Sequence, residues 1–146
     1  MDYDAPVIYD ANVLFPFHVG YILVFMASRR LVVVKWTTEI QQEWLDNIAE
    51  KYPDDLEGCR SRCRSMNKAV QDALVTNYQH LISGIDFPDS NDRHVIAAAL
   101  QANARGIVTR DKTYFTGKSL EPFNLARIDP DDLLVECLER FPDDCL

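Results

Sequence analysis

Val7-Ile8-Tyr9-Asp10-Ala11-Asn12 is a short apolar run that ends on an acid, and Gly106-Ile107-Val108-Thr109-Arg110-Asp111 repeats the arrangement late in the chain. Continuous apolar runs too short for a helix read as strands buried on both faces, the habit of a parallel sheet. Residues at the carboxyl ends of such strands line the edge where open α/β sheets bind ligands. Asp10 and Asp111 therefore stand at one edge of the expected sheet. Glu43, beside a helical apolar stripe, and Asp92, near a helix start, are acids in comparable settings. Carboxylates crowded into one pocket repel one another, and a hard, oxygen-seeking divalent ion relieves that repulsion.

The elements around these runs alternate between strand and helix. After the first strand, residues 13–28 are apolar on most faces and predict a well-buried helix. Residues 31–34 predict a second strand. Thr37 or Thr38 can cap a helix whose stripe is Ile40, Trp44, Leu45 and Ile48. Glu39 and Glu43 share one face of it, four residues apart. Apolar residues at steps of three and four, from Leu56 to Leu81, predict a long helical stretch over residues 54–82, broken at most once, whose stripe serves packing rather than a cofactor. Its other face carries Arg60, Arg62, Arg64 and Lys68, a solvated face that could also meet phosphates. Asp89 or Ser90 is a suitable N-cap for a helix through Leu100, and Asp92 falls in its first turn, where the helix dipole favours an anion. A strand over 107–109, another over 126–128 and a helix over 130–138 complete an α/β alternation.

The 146 residues suit one domain with a real core, 47% of them hydrophobic. No apolar run approaches the roughly 20 residues of a membrane helix, and the acidic start, Met1-Asp2-Tyr3-Asp4, is unlike a signal peptide. A cytoplasmic location with no membrane partner is expected. Cys59, Cys63, Cys137 and Cys145 lack the paired spacing of a metal knuckle and read as reduced packing thiols. Of the net charge of −8, residues 129–146 hold −6, so the remainder stands at only −2. With the site acids neutralised by metal, basic patches elsewhere could face phosphates. The division expected is a catalytic domain over 1–128 and an acidic helix and tail over 129–146 packed on it. Only five glycines occur, with no Gly-rich loop after the first strand, which sets aside a dinucleotide site. A haloacid-dehalogenase phosphatase would want an aspartate where Asn12 stands.

Four stretches, in order and across almost the whole chain, resemble the successive signatures of the PIN domain, and within it the VapC-type toxin ribonucleases. They are Asp10-Ala11-Asn12-Val13-Leu14, residues Trp36 to Trp44, residues Asp89 to Ala99, and residues Ile107 to Phe115. The resemblance implies a three-layer α/β/α sandwich with a central parallel sheet, and an endoribonuclease dependent on Mg²⁺ or Mn²⁺ that acts on single-stranded RNA. It also implies a cognate antitoxin that inserts a basic side chain among the carboxylates, and a homodimer. Residue by residue, Asp10, Glu43, Asp92 and Asp111 match the four metal-binding and catalytic acids, with Asn12 and Thr109 as supporting polar positions. Only the motif register separates Glu43 from Glu39 as the helix acid.

Arg93, Arg110 and Lys112 flank the proposed acids in sequence and could hold substrate phosphates, with surface solvation as the alternative. Phe15, Phe17, Tyr114 and Phe115 could stack on bases, with core packing as the alternative. His80 and His94 read as surface or packing residues, because a metal-activated water needs no histidine base. Two other functions fit the same residues: a non-catalytic PIN-fold interaction module, and a PIN-type nuclease acting on DNA.

Overall fold

β1 (Val7–Tyr9) lies inside a four-stranded parallel sheet with β2 (Val34–Lys35), β3 (Gly106–Val108) and β4 (Ala126–Ile128), in the order β2-β1-β3-β4. The computed structural model describes residues 4–14 and 17–144, without the side chains of residues 17–19. Val7, Ile8 and Tyr9 are all fully buried, as are Ile107 and Val108. Successive strand residues point to opposite faces, so both faces of the central strands are covered. The fold is a three-layer α/β arrangement around a parallel sheet. No described helix is long and apolar enough to cross a membrane.

Leaving β1, the chain forms a 3-10 turn (Ala11–Leu14) and then α1 (Phe17–Ser28). The Tyr9 hydroxyl donates to the Leu23 carbonyl at 3.1 Å and ties this helix to β1. Contrary to expectation α1 is not buried all round: Tyr21 is 63% exposed, and Ile22 and Phe25 also face outward. An apolar composition shows which residues could be buried, and the sheet supplies only one face to bury them against. Phe15 and the Phe17 side chain, the candidate stacking aromatics, lie outside the described residues. Phe115 is in the core, its ring 5.0 Å from Phe87, whereas Tyr114 is exposed.

Thr37 caps α2 (Thr38–Lys51), its side chain accepting from the Ile40 N–H at 2.9 Å. Ile40, Trp44 and Ile48 form the buried stripe. The next helix, α3 (Leu56–Ala69), is much shorter than the stretch read from the apolar spacing. Beyond it the chain turns, and Leu74 makes a parallel bridge to Trp36, with Trp36 N donating to Ala73 O and Val75 N to Trp36 O, both at 2.9 Å. The cause is tertiary: the backbone groups just beyond β2 need partners, and residues 73–75 supply them in place of a further helical turn. Arg62 also departs from the solvated face, its guanidinium lying 3.7 Å from the centre of the Tyr21 ring. Arg60 and Arg64 do face solvent and pair with Glu57.

α2 and α3 are joined by a small polar network. The Trp36 indole N–H donates to Asn67 Oδ1 at 2.8 Å, Gln41 Nε2 donates to the same oxygen at 3.0 Å, and Asn67 Nδ2 returns a bond to Gln41 Oε1 at 3.2 Å. Downstream lie α4 (Arg93–Gln101), the short α5 (Gly117–Leu120) and α6 (Pro130–Arg140). Val95 to Ala99 of α4 are fully buried. In α6, Asp129 caps the first turn, Leu133 and Cys137 are buried, and Glu136 meets Arg105 at 2.8 Å. Cys59, Cys63 and Cys137 are buried thiols, Cys137 Sγ lying 3.9 Å from the Leu31 carbonyl, and Cys145 lies outside the described residues.

Candidate functional site

From β1 the chain runs to one edge of the sheet, at β2, whereas β3 lies on the other side of β1. The carboxyl ends of β1 and β3 therefore flank the point at which an open parallel sheet presents its binding crevice. Asp10 directly follows β1, and Thr109 to Asp111 follow β3.

Asp10 is 6% exposed. Its Oδ1 accepts from the Ala11 N–H at 2.8 Å and its Oδ2 from the Thr109 hydroxyl at 2.9 Å. Burial pushes its pKa up and the charge of Glu43 adds to this, while the two hydrogen bonds and His94 pull it back only in part. The Thr109 hydroxyl also accepts from Asn12 Nδ2 at 2.9 Å and from the Asp111 N–H at 3.1 Å. One oxygen thus ties Asp10, Asn12 and Asp111 into a single unit.

Asp92 occupies the N-cap position of α4, yet its side chain makes no capping bond. The preceding turn is capped instead by Asp89, whose Oδ1 accepts from the Asn91 N–H at 3.0 Å. Asp92 is pushed up to about 7, first by burial and then by the charges of Asp10, Asp89 and Glu43, with His94 opposing. A carboxyl raised by three other carboxyls lies within a concentrated negative field.

Glu43 meets His94 Nε2 directly, while His94 Nδ1 lies 3.8 Å from Glu39 Oε1. Glu39 also accepts from the Tyr78 hydroxyl at 2.8 Å. Burial opposes the imidazolium, but the hydrogen bond to Glu43 and the charges of Glu43, Glu39 and Asp92 outweigh it and hold His94 above the ordinary histidine range. His94 is thus a buried member of the acid cluster. The sequence reading missed this, although a usable signal existed: a histidine two residues beyond Asp92, in the first turn of an otherwise apolar helix.

Glu43, Asp92 and His94 offer ligating atoms that all lie within 4.8 Å of one another, a grouping that does not include Asp10 or Asp111. Asp10 joins it electrostatically, through its mutual effects with Glu43, Asp92 and His94. Asp111 has Oδ1 turned into its own loop, accepting from the Thr113 and Tyr114 N–H groups at 2.8 and 3.1 Å. Arg110 reaches back to the first loop, its backbone N–H to Asn12 Oδ1 at 3.1 Å and its Nη1 to the Asn12 carbonyl at 2.7 Å. Arg93 Nε meets the Ser90 carbonyl at 3.3 Å, and Lys112 is exposed.

The geometry defines a class: a parallel α/β domain with carboxylates and one buried histidine gathered near the carboxyl ends of its central strands. A relative of this chain, "Putative ribonuclease VapC50" of Mycobacterium tuberculosis (strain ATCC 25618 / H37Rv), is 33% identical over 69 residues. That region is 47% of this chain and 40% of the relative, so the chain spans about two fifths of the length of the curated protein it matches. No family model matches the chain.

Proposed function

We propose that this protein is a divalent-metal-dependent endoribonuclease of the PIN type, the toxin member of a toxin–antitoxin pair. The observation that carries the reading is the gathering of Glu43, Asp92 and His94, whose ligating atoms lie within 4.8 Å of one another, with the Asp92 side chain serving no capping bond and its carboxyl pushed up by burial and by Asp10, Asp89 and Glu43. A scaffold gains nothing from carboxylates held in mutual repulsion, whereas a cation site requires them. The likeness to a protein named a ribonuclease supports the reaction class.

The donor chemistry suits a hard or borderline cation, with Mg²⁺ and Mn²⁺ the natural candidates. Asp10, Asp92 and Glu43 would hold it, each Asp10 oxygen keeping a lone pair beside its one hydrogen bond, with Asp111 in an outer place because its Oδ1 spends both lone pairs on the loop N–H groups. Such an ion supplies Lewis-acid activation of water and offsets charge on the phosphodiester. Thr109 and Ala11 fix the direction of Asp10. Asn12, bonded to both Thr109 and Arg110, keeps the two strand-end loops in register. Arg93, Arg110 and Lys112 border the acids and would hold the RNA backbone rather than read its bases. Tyr21, Ile22 and Phe25 on α1 give a protein partner, the antitoxin or a second copy, apolar surface to bury.

The test is cleavage of a mixed pool of tRNA, rRNA fragments and unstructured RNA in Mg²⁺, Mn²⁺ or EDTA. Asp10→Asn and Asp92→Asn variants of verified fold run alongside. Metal-dependent cutting that both variants lose is the expected result. Absence of cutting by folded, inhibitor-free protein in either metal counts against the nuclease and favours an interaction module.

A further inference from the structure

We propose that His94 is itself a metal ligand, through Nε2, and that this nitrogen makes the cleft prefer Mn²⁺ to Mg²⁺; the proposal rests on the metal-dependent reading above. The first argument is position. His94 is 5% exposed, so it is not a rim residue, and its ring lies between Glu43 and Glu39. Ligating atoms of Glu43, Asp92 and His94 already lie within 4.8 Å of one another. Donors on one ion at about 2.1 Å stand at most about 4.2 Å apart, so the group needs only small side-chain adjustments to close on a cation.

The second argument is the ring's unfinished hydrogen bonding. Nδ1 is buried with no hydrogen-bond partner, a state that burial makes unfavourable. Glu39 Oε1 stands 3.8 Å away, fixed from its other side by the Tyr78 hydroxyl. Metal-bound histidines donate their second N–H to a carboxylate, which fixes the tautomer and the ring plane. Glu39 is placed to take that bond by a small adjustment of its own side chain toward Nδ1, which leaves Nε2 facing the cleft beside Glu43. Glu39 and Glu43, four residues apart on α2, then do different work: one orients the imidazole and the other shares the cation with it.

The third argument is donor type. Mg²⁺ dehydrates reluctantly and takes oxygen; Mn²⁺ shares its liking for carboxylates but, as a first-row transition ion, accepts an imidazole nitrogen more easily, and the later ions of the row more easily still. A cluster of carboxylates alone would leave the choice open, and a buried nitrogen among them biases it.

The deciding experiment is pulsed electron paramagnetic resonance of the Mn²⁺-loaded protein, read for nitrogen hyperfine coupling, with competition titrations of Mn²⁺ against Mg²⁺. The chain has three histidines, so His18→Gln, His80→Gln and His94→Gln assign the nitrogen. Expected are coupling in the native protein and in the His18 and His80 variants, its loss in His94→Gln, and a drop of about 10-fold or more in that variant's Mn²⁺-over-Mg²⁺ preference. Should His94→Gln fail to fold, coupling that survives in both other variants still assigns His94 by elimination. Mn²⁺ bound to native protein without nitrogen coupling overturns the proposal and leaves the nuclease reading standing. Failure of the native protein to bind Mn²⁺ overturns both.

Discussion

The Thr109 hydroxyl hydrogen-bonds Asp10 Oδ2 at 2.9 Å, joining the ends of two neighbouring strands across the crevice. With Asn12 Nδ2 and the Asp111 N–H as its two donors, that hydroxyl uses its full capacity of one proton and two lone pairs. Thr109→Val keeps the shape and removes all three bonds. It should weaken divalent-metal binding about 10-fold and lower stability by about 2 kcal/mol, with Thr109→Ser close to native. Metal titration and urea denaturation measure the two effects. Native metal affinity in Thr109→Val would show that Asp10 needs no such support.

Asp92 sets a pH dependence for the metal-free protein. Its folded pKa is raised to about 7 from an ordinary carboxyl value, so the folded state binds the proton more tightly than the unfolded one. That contribution is present in full below the unfolded pKa and is lost as pH rises through the folded pKa. Asp10 and His94 are also raised and act with the same sign. The melting temperature without metal should fall by about 5 °C between pH 5 and pH 8. Asp92→Asn should flatten the fall, and saturating Mn²⁺ should reverse it at pH 8. Stability that climbs over this interval contradicts the assignment.

Glu39 and Glu43 can be separated by paired variants. Tyr78 is pushed up to about 12, by burial first and then by its bond to Glu39. Glu39→Gln should therefore bring the phenol down, as seen by ultraviolet titration, while Glu43→Gln should have the larger effect on metal affinity, about 10-fold or more. Equal effects of the two on both readouts would mean that they do not have distinct roles.

Asn67 closes the network that locks α3 onto α2. Asn67→Leu leaves the Trp36 indole N–H and the Gln41 amide without their partner, at about 2–4 kcal/mol in urea denaturation. Cleavage per folded molecule should stay near native, because neither group touches the acids. A variant of unchanged stability would show that the network is incidental.

Features with local chemistry were legible in the sequence. Apolar β-branched runs ending in Asp10 and ahead of Asp111 mark the central strands, and the caps at Thr37 and Asp89 follow from residue type and position. What escaped depended on partners far along the chain. The periodic spacing through Leu74 reads as helix, but Leu74 is drawn to Trp36 by backbone hydrogen bonds that no local pattern encodes. His94 reads as a packing residue because the acids that surround it stand on another helix, Glu43 lying 51 positions earlier. Arg62 reads as solvated because the Tyr21 ring beneath it belongs to α1.

Asp10 and its Thr109 support are separated by 99 positions, which bears on the protein's synthesis. A ribosome completes the first acid, the helix glutamates and Asp92 before it has made the strand that orients Asp10. No amino-terminal fragment that stops short of Thr109 can assemble the crevice. If the protein destroys RNA, the translation machinery making it is therefore spared at least until Thr109 has been made.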